Sequence, residues 1–191
     1  AQFDTRNSEL HRFDEGLLND YDRLKGRLGA HTLTIFHLIG QHVGYKLRYP
    51  QSRTKFFASD YEERRPELTE RQRKMLSYYD NACLYNDSVV DEICKRFEKE
   101  DAIVIYMPDH GEECYEGTRG IVCRNHSARV DYNLAKYEFE IPFWIYCSHA
   151  YAVKHPEIYR EIVQAKDRRL MTDALPHMLL YLAGISTPAY R

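Results

Sequence analysis

One apolar run constrains this sequence more than any other: Ala102-Ile103-Val104-Ile105-Tyr106-Met107, which ends abruptly in Pro108-Asp109-His110-Gly111-Glu112. A continuous apolar stretch of this length predicts a strand covered on both faces, as in the middle of a parallel α/β sheet. In open α/β sheets, ligands bind beyond the carboxyl ends of the strands. Asp109 and His110 are thereby offered side by side where a ligand sits, and a carboxylate beside an imidazole suits a metal ion. Acids, histidines and glycines are common at strand ends, so the surroundings decide.

Two further runs have the same character. Residues 32–39, with Leu33, Ile35, Phe36 and Leu38, predict a second buried strand ending in Gly40-Gln41-His42. Residues 141–147 predict a third, with Pro142 tolerable only at its beginning. Between them lie helical patterns. Leu17, Leu18, Tyr21, Leu24 and Leu28 recur at spacings of three to four over 14–28, with Gly29 suited to a C-terminal cap. Thr69 and Gln72 form a capping-box pair that opens a helix to about residue 99, burying Leu76, Tyr79, Cys83, Val90, Ile93 and Phe97, with a break expected at Asn86-Asp87. Helices over 149–166 and 172–183, the latter stopped by Gly184, close the chain. Residues 1–12 read as an irregular lead-in, and 43–68 as a long polar connection. This alternation predicts a single α/β domain over 1–191, a sandwich with a mostly parallel central sheet flanked by helices.

Composition removes some functions. With 43% apolar residues, 29% charged residues and a net charge of −2, the chain gives nucleic-acid binding no compositional support. No apolar run approaches the roughly 20 residues that span a bilayer. The polar start, Ala1-Gln2-Phe3-Asp4, suggests a processed or truncated piece of something longer, and leaves room for a membrane anchor outside it. The sixteen tyrosines are expected to pack half-buried with the hydroxyl reaching water. Cys83, Cys94, Cys114, Cys123 and Cys147 show no Cys-x-x-Cys spacing; only Cys114 and Cys123, flanking a loop, invite a disulfide.

Three loops bearing histidines can converge at the expected strand ends: His37 and His42 in the first, Asp109 and His110 in the second, His126 in the third. The other five histidines have no such placement. Residue types alone leave two readings open. His37 on an apolar strand reads as a hydrogen-bonded core residue, Asp109 could cap a loop and His126 could be exposed; or the set could include metal ligands.

Motif context favours the second. Phe13-Asp14-Glu15-Gly16-Leu17-Leu18 followed by Leu33-Thr34-Ile35-Phe36-His37-Leu38-Ile39-Gly40-Gln41-His42 resembles the "DEVLL … VLHxxGSH" region of lipid A phosphoethanolamine transferases, of the alkaline-phosphatase/sulfatase superfamily. The likeness continues, in the family's order, through Tyr45, Lys46, Arg48-Tyr49-Pro50, Tyr79-Asp80-Asn81, Leu84-Tyr85-Asn86-Asp87 and Tyr106-Met107-Pro108-Asp109-His110-Gly111-Glu112. It ends with Ile141-Pro142-Phe143-Trp144 and 179–185, and so covers nearly the whole chain.

The resemblance implies an alkaline-phosphatase-like sandwich and a zinc-dependent transfer, in which a threonine takes phosphoethanolamine from a phospholipid donor and passes it to a lipid A acceptor. By position, Asp109 and His110 are similar to two of four zinc ligands. His42 is similar to the histidine of the Gly-Ser-His motif, which contacts phosphoethanolamine or a second zinc. His126 resembles the histidine of similar role beyond the Asp-His-Gly-Glu loop, although Cys114-Tyr115-Glu116-Gly117-Thr118-Arg119-Gly120 departs from the family's Glu-Asn-Gly pattern there. The family's nucleophile and its zinc-binding Glu fall upstream of everything matched, so no catalytic residue is expected in this chain, the fold is expected to be incomplete on its N-terminal side, and the polypeptide alone is expected to be inactive. By the same resemblance the complete protein sits at the periplasmic face of the inner membrane through an upstream anchor. Another enzyme of the superfamily, a sulfatase or phosphoglycerol transferase, and a catalytically dead interaction domain of the same fold are the alternatives.

Overall fold

A computed structural model of the chain describes residues 11–116, 120, 122–124 and 132–186. These fall into two compact units, one of residues 1–95 and 108–141, the other of 96–107 and 142–191.

In the first unit, helix α1 (Gly16–Leu24) buries Leu17, Leu18 and Asp20, and a 3-10 turn (Lys25–Arg27) ends it short of Leu28. Asp20 is tied down by His11 Nε2 at 2.5 Å and by the Arg23 guanidinium. Helix α2 (Glu70–Phe97) is 28 residues long, about 42 Å at 1.5 Å per residue. Its start follows the expected capping box: Gln72 N donates to Thr69 Oγ1 at 3.3 Å, and Thr69 N donates back to Gln72 Oε1 at 2.9 Å. The break expected at Asn86-Asp87 does not occur. Asn and Asp weaken a helix interior by well under ~1 kcal/mol each, and the buried stripe of Tyr85, Asn86, Val89, Val90 and Ile93 carries the helix through them.

The long connection 43–68 is held in place by side chains rather than by a ladder. It contains 3-10 turns at Tyr45–Leu47, Gln51–Arg53 and Ala58–Tyr61. Asn81 of α2, 1% exposed, accepts from the backbone N–H groups of Lys55 (2.7 Å) and Phe56 (3.0 Å) and donates to the carbonyls of Phe56 (2.8 Å) and Ser77 (2.7 Å). The Tyr61 hydroxyl donates to Asp80, also on α2. Tyr61, Leu68, Leu76 and Cys114 then form a core cluster against which Phe56, Tyr79, Tyr115 and Val122 pack. Tyr45 and Tyr49 are each 1% exposed, so these two tyrosines depart from the half-buried expectation.

The second unit contains strands β1 (Ile103–Tyr106) and β2 (Trp144–Cys147), paired antiparallel with Ile103 opposite Cys147 and Tyr106 opposite Trp144. The expectation of parallel neighbours fails for this pair. A continuous apolar run reports that both faces of a strand are covered and carries no information about the direction of its neighbour. Tyr106 and Trp144 stack with ring centroids 5.3 Å apart. Ser148, fully buried, joins the strand ends: its N–H donates to Ala102 O at 3.0 Å, and its Oγ accepts from Tyr151 N at 3.0 Å to cap the next helix. The helix expected over 149–166 is two helices, α4 (His149–Lys154) and α5 (Pro156–Ala165), because Pro156 has no N–H to continue the first and is suited to the opening turn of the second. Helix α6 (Leu175–Leu182) closes the unit. Helix α3 (Tyr132–Glu138) lies in the first unit.

The strand expected over residues 32–39 does not form among the described residues. Residues 32–39 join no sheet, and their burial alternates: Leu33, Ile35 and His37 are exposed, while Thr34, Phe36 and Leu38 are half-buried. His37 is therefore no core residue. No helix among the described residues is long and apolar enough to cross a membrane.

Candidate metal and substrate site

Asp109-His110-Gly111-Glu112 belongs to the first unit, and its conformation is fixed from two sides. Gly111 N donates to Glu138 O at 2.9 Å, and a Cβ at Gly111 would collide with the Tyr137 carbonyl. Only glycine lets this loop reach the end of α3. On the other side, the buried Tyr45 hydroxyl donates to Glu112 Oε1. Burial, followed by that bond to the carboxylate, raises the pKa of Tyr45 far above that of an ordinary phenol, so the hydroxyl stays a donor.

Within this frame Asp109 and His110 are disposed as a donor pair. His110 Nδ1 lies 2.6 Å from the carbonyl oxygen of Gly111. A carbonyl only accepts, so Nδ1 carries the proton, and the tautomer that leaves the ring uncharged has its lone pair at Nε2. Nε2 stands 3.8 Å from Asp109 Oδ2, and the Asp109 side chain is 89% exposed against 26% for His110. An imidazole whose second nitrogen donates to a carbonyl is the arrangement in which histidines ligate metals. The donor set, one carboxylate and one imidazole, fits zinc. Among the described residues no group of three or more His, Cys, Asp or Glu side chains is gathered for a metal ion, so these two are a partial set.

His42 is exposed in a turn, its N–H donating to Ile39 O at 3.2 Å and its carbonyl accepting from Arg48 Nε at 2.9 Å. That turn is set from a distance. The buried Asp14 carboxylate accepts from Ile39 N at 3.0 Å and Gly40 N at 2.8 Å, while Gly40 takes φ +55°, where glycine is favoured. Three residues after His42, Tyr45 reaches Glu112, so the His42 segment and the Asp109-His110 loop meet through one hydrogen bond. His126 lies outside the described residues.

Neither Tyr45 nor Asp14 was singled out by residue type; each appeared only as a letter in the matched motifs. The thiols are free, Cys114 and Cys123 included, so the disulfide between them is not formed. Burial pushes the Cys83 thiol up to about 11 and raises Cys114 further, which leaves both protonated and poor nucleophiles. A shallow hollow of about 360 Å³ lined by Phe56, Asp80, Cys83, Leu84 and Asp87 contains none of the expected site residues.

Residues 2–185 match the Sulfatase family. Phosphoethanolamine transferase EptC of Escherichia coli O18:K1:H7 (strain RS218 / NMEC) is 31% identical over 187 residues, 97% of this chain and 31% of that protein. Phosphoethanolamine transferase CptA of Salmonella typhimurium is 28% identical over the same shares. Among solved structures, the C-terminal periplasmic domain of EptC from Escherichia coli in complex with Zn superposes with a TM-score of 0.79 at 27% identity, covering 100% of this chain and 51% of that one. The chain thus spans about half of the solved domain and about a third of the curated relatives. With a matching fold and a family match over nearly its whole length, the chain belongs to the sulfatase family.

Proposed function

We propose that this chain is the part of a phosphoethanolamine transferase that supplies two zinc ligands, Asp109 and His110, and two substrate-contacting histidines, His42 and His126. The complete enzyme moves phosphoethanolamine from a phospholipid donor to a lipid A acceptor at the periplasmic face of the inner membrane, through a threonine that this chain does not contain. In it, both units belong to one catalytic domain with a mostly parallel central sheet. Names of the similar proteins and the Zn complex of the matched periplasmic domain support this reading.

The observation that carries it is the Nδ1 bond of His110 to Gly111 O, which leaves Nε2 directed toward Asp109. Zinc, when bound, lowers the pKa of an attacking hydroxyl and neutralises charge on the phosphoryl group. The chain's own residues do the remainder. Asp109 offers a carboxylate oxygen, His110 a ring nitrogen, and Tyr45 with Glu112 ties down the loop. His42, exposed three residues before Tyr45, would meet the oxygens or leaving group of the substrate.

Nitrogen NMR of histidine-labelled chain, titrated with zinc, tests this. The His110 Nε2 resonance is expected to move to a metal-bound position while Nδ1 stays protonated, and Asp109→Asn is expected to weaken the response about tenfold or more. Zinc on Nδ1, or a titration that leaves His110 unmoved, sinks the reading. The polypeptide alone is expected to show no zinc-dependent cleavage of phosphodiesters, since two ligands and two histidines lack a nucleophile.

A further inference from the structure

Within the second unit, Lys166-Asp167-Arg168-Arg169-Leu170-Met171 joins α5 to the 3-10 turn Thr172–Ala174 that leads into α6. Its backbone is tied at both ends. Lys166 N donates to Val163 O at 3.4 Å and Arg168 N to Ala165 O at 2.9 Å, bonds to carbonyls three residues back that close the last turn of α5. Ala174 N donates to Met171 O at 3.1 Å. All six side chains between these ties are exposed, Leu170 by 43% and Met171 by 74%.

The two apolar side chains directly follow three cations. Lys166 Nζ lies 3.9 Å from Asp167 Oδ2, but the side chains are 71% and 88% exposed, so that pair holds little. Arg168 and Arg169 form no ion pair among the described residues. A bilayer surface satisfies both kinds of group together: cations sit at the level of the phosphates while adjacent apolar side chains enter the boundary between headgroups and acyl chains. Either signal alone binds marginally, and the two together hold. A specific protein interface takes about 20–30 residues a side, whereas a bilayer accepts a loop of this size. The chain's net charge of −2 does not oppose such docking, because charges more than about 8 Å away are largely screened at physiological ionic strength. We propose that residues 166–171 dock the second unit on an anionic phospholipid surface, with Leu170 and Met171 inserted and Lys166, Arg168 and Arg169 facing headgroup phosphates. The docking needs neither zinc nor the transfer reaction, so its failure would leave that reading standing.

The test is cosedimentation of the whole chain with vesicles of phosphatidylcholine, alone or with about one third phosphatidylglycerol. Binding is expected to the mixed vesicles only, and to weaken about tenfold or more in 0.5 M salt. Arg168→Gln with Arg169→Gln is expected to weaken it about 25-fold, at about fivefold per cation. Leu170→Ser with Met171→Ser is expected to weaken it about tenfold or more. Arg27→Gln with Lys99→Gln, the same charge change at exposed positions elsewhere, is expected to leave binding as it was. Urea midpoints are expected to stay unchanged in all three variants, because every replaced side chain already faces water. Three results overturn the proposal: no binding to the mixed vesicles, binding that survives loss of both the arginine and the apolar pair, or self-association of the lone chain that the Leu170 and Met171 substitutions abolish, which would assign the loop to a second copy.

Discussion

Residues 32–39 and 102–107 look alike in sequence and end differently in the structure. Both are short aliphatic runs that stop at a histidine-bearing turn. In the second, Ile103–Tyr106 pairs with Trp144–Cys147 and all four residues are partly covered. In the first, the same kind of run finds no strand among the described residues, and Ile35 stays 79% exposed. An apolar run therefore states a tendency to be covered; it does not state that a neighbouring strand supplies the cover. The site follows the same division. The Asp109-His110 loop is tied down by groups within the chain, whereas no third metal-ligating side chain is gathered there among the described residues.

Several substitutions would break or sharpen this contrast. The largest effect is expected for Asn81→Ala, which strips partners from two N–H groups and two carbonyls at a buried position; a loss of about 3 kcal/mol by urea unfolding is expected. A loss below ~1 kcal/mol would mean that the connection 43–68 is held by its apolar contacts instead. Gly111→Ala comes next, at about 2 kcal/mol, because the new methyl group displaces the loop from the Tyr137 carbonyl. The same variant is expected to blunt the zinc response of His110.

The direct comparison is Ile105→Ala against Ile35→Ala. Ile105 is partly covered in β1 and its truncation is expected to cost about 1–2 kcal/mol, while truncation of the exposed Ile35 is expected to cost under ~0.5 kcal/mol. Equal costs in the isolated chain would erase the distinction between the two runs. Thr69→Ala, which removes the cap of α2, is expected to cost about 1 kcal/mol in the same assay.

Acid supplies the last and smallest test. Burial raises the pKa of Asp20, but the bonds from His11 and Arg23 outweigh it and the net shift is downward. A carboxylate with a depressed folded pKa stabilises the fold above its unfolded value, about 4, and that stability is lost as pH falls through the folded pKa. Asp20→Asn is expected to flatten the stability profile below about pH 4, measured by urea unfolding at successive pH values.

Much of this organisation was legible in the residues. The capping box at Thr69 and Gln72, the strands around Ile105 and Ile145, and the strand-end position of Asp109 and His110 follow from local pattern, because each is decided within a few residues of sequence. The antiparallel pairing, the uninterrupted α2 and the exposed face of 32–39 were not legible, because each depends on groups far along the chain. Tyr45 shows why a residue can escape notice. Its partner, Glu112, is 67 positions away, and no periodicity links them.

Asn81 has one more consequence. Its amide takes two hydrogen bonds and gives two, as a peptide group of a neighbouring strand would, so a single side chain stands in for a ladder along 55–56. Asparagine is also the residue that water slowly converts to an acid. At this position deamidation would set a carboxylate oxygen against the carbonyls of Phe56 and Ser77, acceptor against acceptor. The conversion changes almost nothing in size or shape, yet it would unfasten the connection from α2. This part of the molecule therefore ages through one atom.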